Sequence, residues 1–203
     1  DTKIIIKVGD LFNEDGNIVI GMNDVFDTEK GEIIKSNSIQ GQFLTKIYND
    51  DRSKLDGDLK NALKKCIGQP DKEKSKGNKI RYPIGTVATL NAGNKKYFCS
   101  AYSYMNNNLQ AKSDIGKLVV SLEALWEAIR LKGECDNVAM AILGSDLARI
   151  GNASKSNLIK LIVSSFILAS REKWITKKLT IVIHPDSFEK VNLLELDDFL
   201  QSF

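Results

Sequence analysis

The chain has 203 residues, of which 42% are hydrophobic and 27% are charged, a composition that is ordinary for a globular protein. Its length suits one domain, and a domain of this size buries enough surface to be stable without a disulfide or a metal. Lysine and arginine number 29 and aspartate and glutamate 26, so the net charge of +3 neither requires nor excludes a polyanionic partner.

The sequence contains neither a membrane span nor a signal peptide. No apolar stretch approaches the roughly 18 residues that a span requires. The three cysteines, Cys66, Cys99 and Cys135, are scattered and odd in number, which favours reduced thiols over a disulfide framework. Because the chain begins with Asp1 rather than Met, we expect a processed protein or a fragment of a longer one.

The first third of the chain predicts two strands followed by helical structure. Lys3–Val8 and Asn17–Gly21 have the apolar character of buried strands. Ser36–Tyr48 has the period of a helix, and this period continues as far as Ile67 before glycine and proline stop it. The polar stretch Asp71–Lys79 that follows is predicted to be a solvated loop.

The rest of the chain predicts a β-hairpin and then alternating helices and strands. The hairpin joins Thr86–Leu90 to Lys95–Ser103 through a turn that contains glycine. Val138–Leu143 is apolar at every position, which is typical of a strand buried on both faces of a largely parallel sheet. The remaining predicted elements are a helix from Ile115 to Ile129, a helix from Leu158 to Ala169, the strand Leu179–His184 and a closing helix from Phe188 to Phe203.

This alternation predicts an α/β sandwich, in which a mixed, mainly parallel sheet has helices on both faces. Ligands of such sheets bind at the carboxyl ends of the strands. The loops that follow Val8, Gly21, Leu143 and His184 are therefore the places where we expect a site.

Three of these loops carry residue types that suit a nucleotide. Backbone N–H groups in the glycine-bounded loop Gly144–Asn152 could cradle a diphosphate, although glycines also serve ordinary turns. The carboxylate of Asp10 could accept a hydrogen bond from an exocyclic amine such as that of adenine, and Asn23 could bind a ribose hydroxyl. Taken singly, each of these two residues is more typical of a turn. The loop matches neither a nucleoside-triphosphatase phosphate loop nor the GxGxxG pattern.

Hydrolytic and nucleic-acid-binding chemistry find little support. His184 is the single histidine, so a zinc site with two histidines is excluded, and no G-x-S-x-G motif supplies a nucleophile. No pair of carboxylates stands out as a glycosidase-type site. Aromatic residues are few and basic residues are dispersed, which disfavours a nucleic-acid surface.

The order of these segments resembles that of the macro domain family. Ile5–Leu11 resembles the opening strand whose Gly-Asp binds adenine, and Ile18–Asn23 resembles the asparagine-containing segment after the second strand. Pro83–Val87 resembles the start of a later strand, and Val138–Gly151 resembles the strand and diphosphate loop. The resemblance implies that residues 1–203 form one macro domain, a three-layer α/β/α structure with a mixed, mainly parallel central sheet.

Two shorter segments, Asn23–Thr28 and Ser38–Phe43, resemble the macro domain of Thoeris antiphage effectors more narrowly. In that family the domain follows membrane helices and senses an ADP-ribose derivative made by a Toll/interleukin-receptor-type enzyme, after which the effector oligomerises. The resemblance implies a cytoplasmic domain whose bacterial parent protein is anchored in the inner membrane. It also implies a nucleotide ligand, with histidine-linked ADP-ribose as the first candidate, and no cofactor, metal or nucleic-acid partner.

The sequence departs from hydrolytic macro domains where the distal ribose and the attacking water bind. Ser38-Ile39-Gln40-Gly41 replaces a run of glycines, and Gly21-Met22 replaces Asn-Ala. We therefore interpret the domain as a sensor and not an enzyme. The alternatives are an ADP-ribosyl hydrolase and a module that binds RNA or poly(ADP-ribose).

Carried over by position, the resemblance implies three groups of ligand-binding residues. The adenosine end would be bound by Asp10 and Leu11, flanked by His184 or Phe188. The distal ribose and any group on it would be surrounded by Asn23, Phe26, Asp27, Gln40 and Gly41. The diphosphate would be wrapped by Gly144, Ser145, Leu147, Ala148, Arg149, Ile150 and Gly151. Phe26 could pack against an added group and Asp27 could pair with an added amine or imidazole; alternatively, Phe26 fills the core and Asp27 caps a turn.

Overall fold

A computed structural model describes residues 2–145, 150 and 153–203. Its regular elements alternate between strand and helix in the way that the sequence predicts. In chain order they are β1 (Lys3–Val8), β2 (Asn17–Asn23), α1 (Ile39–Tyr48), α2 (Arg52–Ala62), β3 (Gln69–Pro70), β4 (Ile80–Arg81), β5 (Val87–Ala92), β6 (Lys95–Met105), β7 (Ala111–Lys112), α3 (Ile115–Lys132), β8 (Val138–Ala141), α4 (Lys155–Glu172), β9 (Lys178–Ile183) and α5 (Leu193–Gln201), with short 3₁₀ helices at Leu11–Asn13 and Pro185–Lys190.

The central sheet has the strand order β1-β9-β8-β2-β6-β5. Its first five members are parallel to one another. β5 forms the predicted antiparallel hairpin with β6, and β7 pairs with the end of β6. β3 and β4 form a separate two-stranded ribbon. The mixed, mainly parallel sheet of the sequence prediction is therefore confirmed.

Alternate residues of the strands face two different helical layers. On β2, Val19 packs into the apolar cluster under α3 and α4, whereas Ile18, Ile20 and Met22 pack into the cluster under α1 and α2. This is the period of two that an extended strand imposes, with both faces covered by helices. The molecule is therefore a three-layer α/β/α sandwich, as predicted.

The helical region after β2 begins later than the sequence predicts, and it is divided. Ser38 accepts the Gly41 N–H and caps α1, so the helix starts at Ile39 and not at Ser36. Asn49 and Asp50 have φ angles of 51° and 62°, which end α1, and Asp51 then caps α2. The expectation of helix as far as Ile67 was wrong, because these two left-handed residues break the helix and α2 ends at Ala62.

The segment from Asp71 to Tyr82, named here the 71–82 segment, includes the solvated loop predicted over Asp71–Lys79, which has no helix or strand and is largely exposed apart from one buried residue. Lys74 is 1% exposed, and Ile80–Arg81 near the end of the segment pairs with Gln69–Pro70 in the β3–β4 ribbon. The burial of Lys74 was not predicted, because a lysine paired with a distant carboxylate can be buried and sequence polarity does not reveal such a partner.

The end of the chain also differs in detail from the prediction. The single helix predicted from Phe188 to Phe203 is a 3₁₀ turn, Pro185–Lys190, followed by α5. Among the residues with described structure, no helix combines the length and the apolar character that crossing a bilayer requires.

Candidate functional site

The parallel strands bring most of the predicted site residues to one edge of the sheet. β1, β2, β8 and β9 run in the same direction, so the loops after Val8, Asn23, Ala141 and Ile183 share their carboxyl edge. The N–H of Gly9 donates to the carbonyl of Ile183 at 3.0 Å, which joins two of these loops directly. The expected convergence of the loops is therefore confirmed for the residues that the structure describes.

Asp10 lies directly after β1 with its carboxylate partly exposed. One oxygen accepts the N–H of Phe12 at 3.0 Å and caps the 3₁₀ turn. The other lies 2.5 Å from the ammonium of Lys46 on α1. Lys46 holds the pKa of Asp10 below its usual range, with help from the Phe12 N–H and from nearby His184. Each oxygen of a carboxylate has a second lone pair, so this anion can still accept a hydrogen bond from a ligand.

The residues predicted beside adenine differ in exposure. Leu11 is buried in the cluster under α1 and α2. His184 and Phe188 are exposed after β9, with 54% of the His184 side chain accessible. The Nδ1 atom of His184 accepts the Asp186 N–H at 3.3 Å and caps the 3₁₀ turn Pro185–Lys190. Near Asp10 the exposed predicted residue is therefore His184, and Leu11 is buried in the core behind it.

The loop after β8 is described only at its base. Gly144 has a φ of 80°, and a Cβ there would overlap the side chain of Ile150. The Ile150 N–H donates to the Gly144 carbonyl at 3.3 Å, and Ser145 Oγ donates to the Ile142 carbonyl at 3.0 Å. Further predicted diphosphate residues lie outside the described residues, namely Leu147, Ala148, Arg149 and Gly151.

Behind this loop, α4 begins with a capping serine. Ser154 Oγ accepts the Asn157 N–H at 3.1 Å. The first turn of a helix carries unpaired N–H groups and a positive dipole end, which favour an anion nearby. A diphosphate held by the loop after β8 would therefore lie where the field of α4 is favourable.

Asn23 shapes the loop after β2 from within. Its Oδ1 atom accepts the N–H groups of Val25 at 3.2 Å and Asp27 at 3.1 Å, and the residue is 3% exposed. These are the contacts of a turn-forming asparagine. A ribose hydroxyl would thus meet an amide whose oxygen already accepts two backbone N–H groups.

Phe26 and Asp27 belong to this loop, and both side chains are buried. Phe26 has a φ of 52°, and its ring meets that of Tyr82 edge-on, 5.6 Å between centroids. The Asp27 carboxylate accepts the Asn78 N–H at 2.7 Å and lies 3.4 Å from Lys74 Nζ. Burial raises the pKa of Asp27, against the effect of Asn78 and Lys74. These positions agree with the alternative interpretation, in which Phe26 fills the core and Asp27 holds a turn.

Gln40 and Gly41 stand at the start of α1, beside the same loop. Gln40 Nε2 donates to the main-chain carbonyl of Asp27. A Cβ on Gly41 would overlap the backbone of Lys35 and Ser36, so glycine is required here by the close approach of the chain itself. Both residues thus help to hold the loop after β2 in place.

Sequence reasoning missed three residues that also contact the loop after β2. Lys74, Asn78 and Arg81 belong to the 71–82 segment, and each of them contacts the loop through its side chain. Lys74 is 47 positions from its partner Asp27. A spacing of this kind leaves no periodic or motif signal by which the contact could have been predicted.

A further depression of about 430 Å³ lies at the end of β6, the strand next to β2. Its lining is Tyr104, Lys112, Ser113, Asp114 and Lys117. The guanidinium carbon of Arg81 lies 4.1 Å from the centre of the Tyr104 ring. Within the described ranges, no three His, Cys, Asp or Glu side chains are arranged to hold a metal ion.

Comparisons with solved structures give the fold. An Oceanobacillus iheyensis macrodomain variant superposes with a TM-score of 0.62 at 11% identity, covering 98% of this chain and 93% of that one. The macrodomain of the same organism solved with ADP gives 0.61 at 10% identity, covering 97% and 90%. A tomato leucine aminopeptidase variant gives 0.55 at 16% identity, covering 96% of this chain and 36% of the other. These likenesses show that the fold is that of a macro domain.

Comparison with sequence families is more specific. No curated protein sequence matched the chain. The family model described as "Thoeris protein ThsA, Macro domain" matches residues 4–184, which include β1, the loop after β2 and every strand as far as β9. The chain therefore belongs to the family of Thoeris ThsA macro domains.

Proposed function

We propose that the domain binds an ADP-ribose nucleotide across the carboxyl edge of its sheet, as the sensing part of an antiphage effector. The observation that carries this proposal is the placement of an ionised carboxylate, Asp10, at the same edge as the loop between β8 and α4. A macro domain of Oceanobacillus iheyensis has been solved with ADP, and a variant of it with ADPR. The adenosine would lie between Asp10 and His184, and the diphosphate over the start of α4.

Calorimetric titration with ADP-ribose tests the adenosine end of this site. Asp10→Asn keeps the shape of the side chain, removes its negative charge and replaces one of the two oxygens that could accept the adenine amine with an NH₂ group. We expect it to weaken binding by about 1–3 kcal/mol, the usual loss for a hydrogen bond to a charged group. Glu127→Gln is the matched control, because it neutralises a cation-paired carboxylate on the exposed face of α3. Equal affinity of the wild type and the Asp10 variant would overturn the adenosine assignment.

We propose that the domain senses this nucleotide without turning it over. The support is Gln40 in place of a glycine and an Asn23 whose amide oxygen is occupied by two backbone N–H groups. The expected result is that purified protein releases no ADP-ribose above background from mono-ADP-ribosylated proteins. Efficient multiple turnover that is lost in Asn23→Ala would instead establish the alternative, an ADP-ribosyl hydrolase.

The proposed signal carries an added group on its distal ribose, and histidine-linked ADP-ribose is the first compound to test. One charge-assisted contact would favour the conjugate over plain ADP-ribose by roughly 1.5–3 kcal/mol, or about ten- to a hundredfold in affinity. Because Asp27 is buried against Lys74, a contact with Asp27 requires the loop after β2 to open. Titrations with plain ADP-ribose and with histidine-linked ADP-ribose test this proposal. If the domain binds both with equal affinity, Asp27 has a structural role alone.

The biological setting proposed here follows from family membership. The nucleotide would be made by a Toll/interleukin-receptor-type enzyme, and the domain would lie in the cytoplasm, joined to a parent protein that is anchored in the inner membrane and oligomerises when the nucleotide binds. A parent protein that shows no change in assembly on adding the nucleotide would contradict this setting and leave the binding proposal intact.

A further inference from the structure

The loop of residues 23–28, which follows β2, is held from outside by the 71–82 segment. Arg81 forms an ion pair with Asp24 at 2.5 Å, and the Tyr82 N–H donates to the Asp24 carbonyl at 2.8 Å. Asn78 Nδ2 donates to the carbonyls of Val25 at 3.1 Å and Phe26 at 2.9 Å. The contacts follow the loop residue by residue, so the shape of the loop depends on a part of the chain that is remote in sequence.

The centre of this contact is the buried ion pair of Lys74 and Asp27. Their side chains are 0% and 1% exposed, and their charged atoms lie 3.4 Å apart. Lys74 Nζ also donates to the carbonyl of Lys76. Gly77 has a φ of 74°, and a Cβ there would overlap Asp27 Oδ1. A glycine at this position lets the chain pass close enough for the Asn78 N–H to reach the same carboxylate at 2.7 Å.

The loop needs such support because its backbone is not relaxed. Phe26 has a φ of 52°, a region that residues with a bulky side chain rarely adopt. A strained residue persists where its surroundings fix it. Here the two hydrogen bonds from Asn78 fix the peptides on either side of Phe26, and Lys74 and Asn78 fix the carboxylate of Asp27.

We propose that Lys74 is a positioning residue for the nucleotide site: through its buried pair with Asp27 it holds the loop 23–28 in the shape that receives the distal part of the ligand. This inference rests on the proposed function. The Lys74 side chain is 0% exposed, so it would act on the ligand only through Asp27 and the loop. Removing its ammonium leaves a buried carboxylate without a cation, whereas neutralising both partners removes the unpaired charge.

The test compares Lys74→Met with the double variant Asp27→Asn/Lys74→Met, using ADP-ribose as the probe in calorimetry. We expect Lys74→Met to bind at least about tenfold more weakly than the wild type, a factor that corresponds to roughly 1.4 kcal/mol. The double variant, which lacks the buried charge, should recover at least half of that loss on a logarithmic scale. Binding by folded Lys74→Met at wild-type affinity would overturn the proposal.

A control variant separates positioning from general loss of stability. Thr176 lies just before β9, at the opposite edge of the sheet from the proposed site, and is 1% exposed. Its hydroxyl donates to the carbonyl of Asp136, which lies just before β8. Thr176→Val removes this buried hydrogen bond and should destabilise the domain without changing ADP-ribose affinity. If Thr176→Val weakens binding as much as Lys74→Met, the effect is one of stability and the proposal fails.

Two further measurements keep the outcome decisive. Should Lys74→Met not fold, Asn78→Ala removes the hydrogen bonds to Val25 and Phe26 without leaving a buried charge, and unchanged affinity in that variant contradicts the proposal. Hydrogen exchange of the amides of Val25, Asp27 and Asn78 should be at least about tenfold faster in Lys74→Met, in line with local opening. If the wild-type domain does not bind ADP-ribose, the proposed function is refuted. In that case the comparison of hydrogen exchange between the wild type and Lys74→Met still shows whether Lys74 holds the loop.

Discussion

The pKa of Asp10 depends on Lys46, and this dependence can be measured. Because Lys46 lowers the pKa of Asp10, the pair stabilises the fold above the ordinary pKa of aspartate, and this contribution is lost as the pH falls through the lowered value. Both side chains are more than a third exposed, so the contribution is small, below about 1 kcal/mol. Lys46→Met should raise the pKa of Asp10 toward its usual range in a carbon-13 NMR titration. Lys64→Met, which removes another lysine that is exposed, should leave that pKa unchanged.

Single residues near the site were predictable when their role is local. Asp10 could be chosen because a Gly-Asp pair follows a strand, and Ser154 because it precedes a helical pattern. Asn23 and Asp27 could be placed after β2, but the sequence does not show that Lys74 lies against Asp27. The partner of a buried charge is set by tertiary structure, and no alternation or spacing in the sequence encodes it.

The helices α1 and α2, which cover one face of the sheet, contain glycines with opposite roles. Gly41 in α1 lies against the backbone of Lys35 and Ser36, where a Cβ would overlap, whereas Gly57 in α2 has nothing within 4 Å of its Cβ position. Gly41→Ala should therefore destabilise the domain by about 1–3 kcal/mol through a steric clash. Gly57→Ala should stabilise it by about 0.5–1 kcal/mol, because alanine favours a helix. Urea unfolding of both variants measures the two signs, and a stabilising Gly41→Ala would contradict the close approach described above.

Long elements with a clear period were predicted well, and short ones were not. β1, β2, α3, α4 and β9 match their predicted ranges to within a few residues. The two-residue strands β3, β4 and β7 carry too little sequence for a pattern, and they form through pairing with neighbours. The break between α1 and α2 depends on backbone angles at Asn49 and Asp50 that leave the apolar period intact.

The packing of α3 on α4 gives a test of the core as a whole. The ring of Phe166 is 1% exposed and meets that of Trp126 edge-on, with 5.1 Å between the centroids. Phe166→Ala should cost about 3–5 kcal/mol of unfolding free energy, because it leaves a cavity between two helices. Leu168→Ala, two residues along the same helix and 62% exposed, should cost under about 0.5 kcal/mol. Guanidinium unfolding that shows similar losses for the two variants would contradict the described core.

For the whole molecule, the fold class was predictable and the strand order was not. Alternating strands and helices, with Val138–Leu143 apolar throughout, predict helices on both faces of a parallel sheet. The position of β9 between β1 and β8 joins segments from opposite ends of the chain. No pattern in the sequence encodes that order, whereas the meeting of the loops at one edge follows from the parallel direction of the strands.

The pairing of β1 with β9 also bears on how the domain is made. Residues 3–8 leave the ribosome long before their partner in the described sheet, residues 178–183, because about 170 residues separate the two strands. Until then the apolar strand Ile4–Ile6 has no native neighbour, and such an unpaired strand is open to wrong association. β9 is also the strand that joins β1 to β8. We therefore expect the nascent chain to reach its native state only once β9 has emerged, and a nucleotide that needs both Asp10 and the loop after β8 to bind only the finished domain.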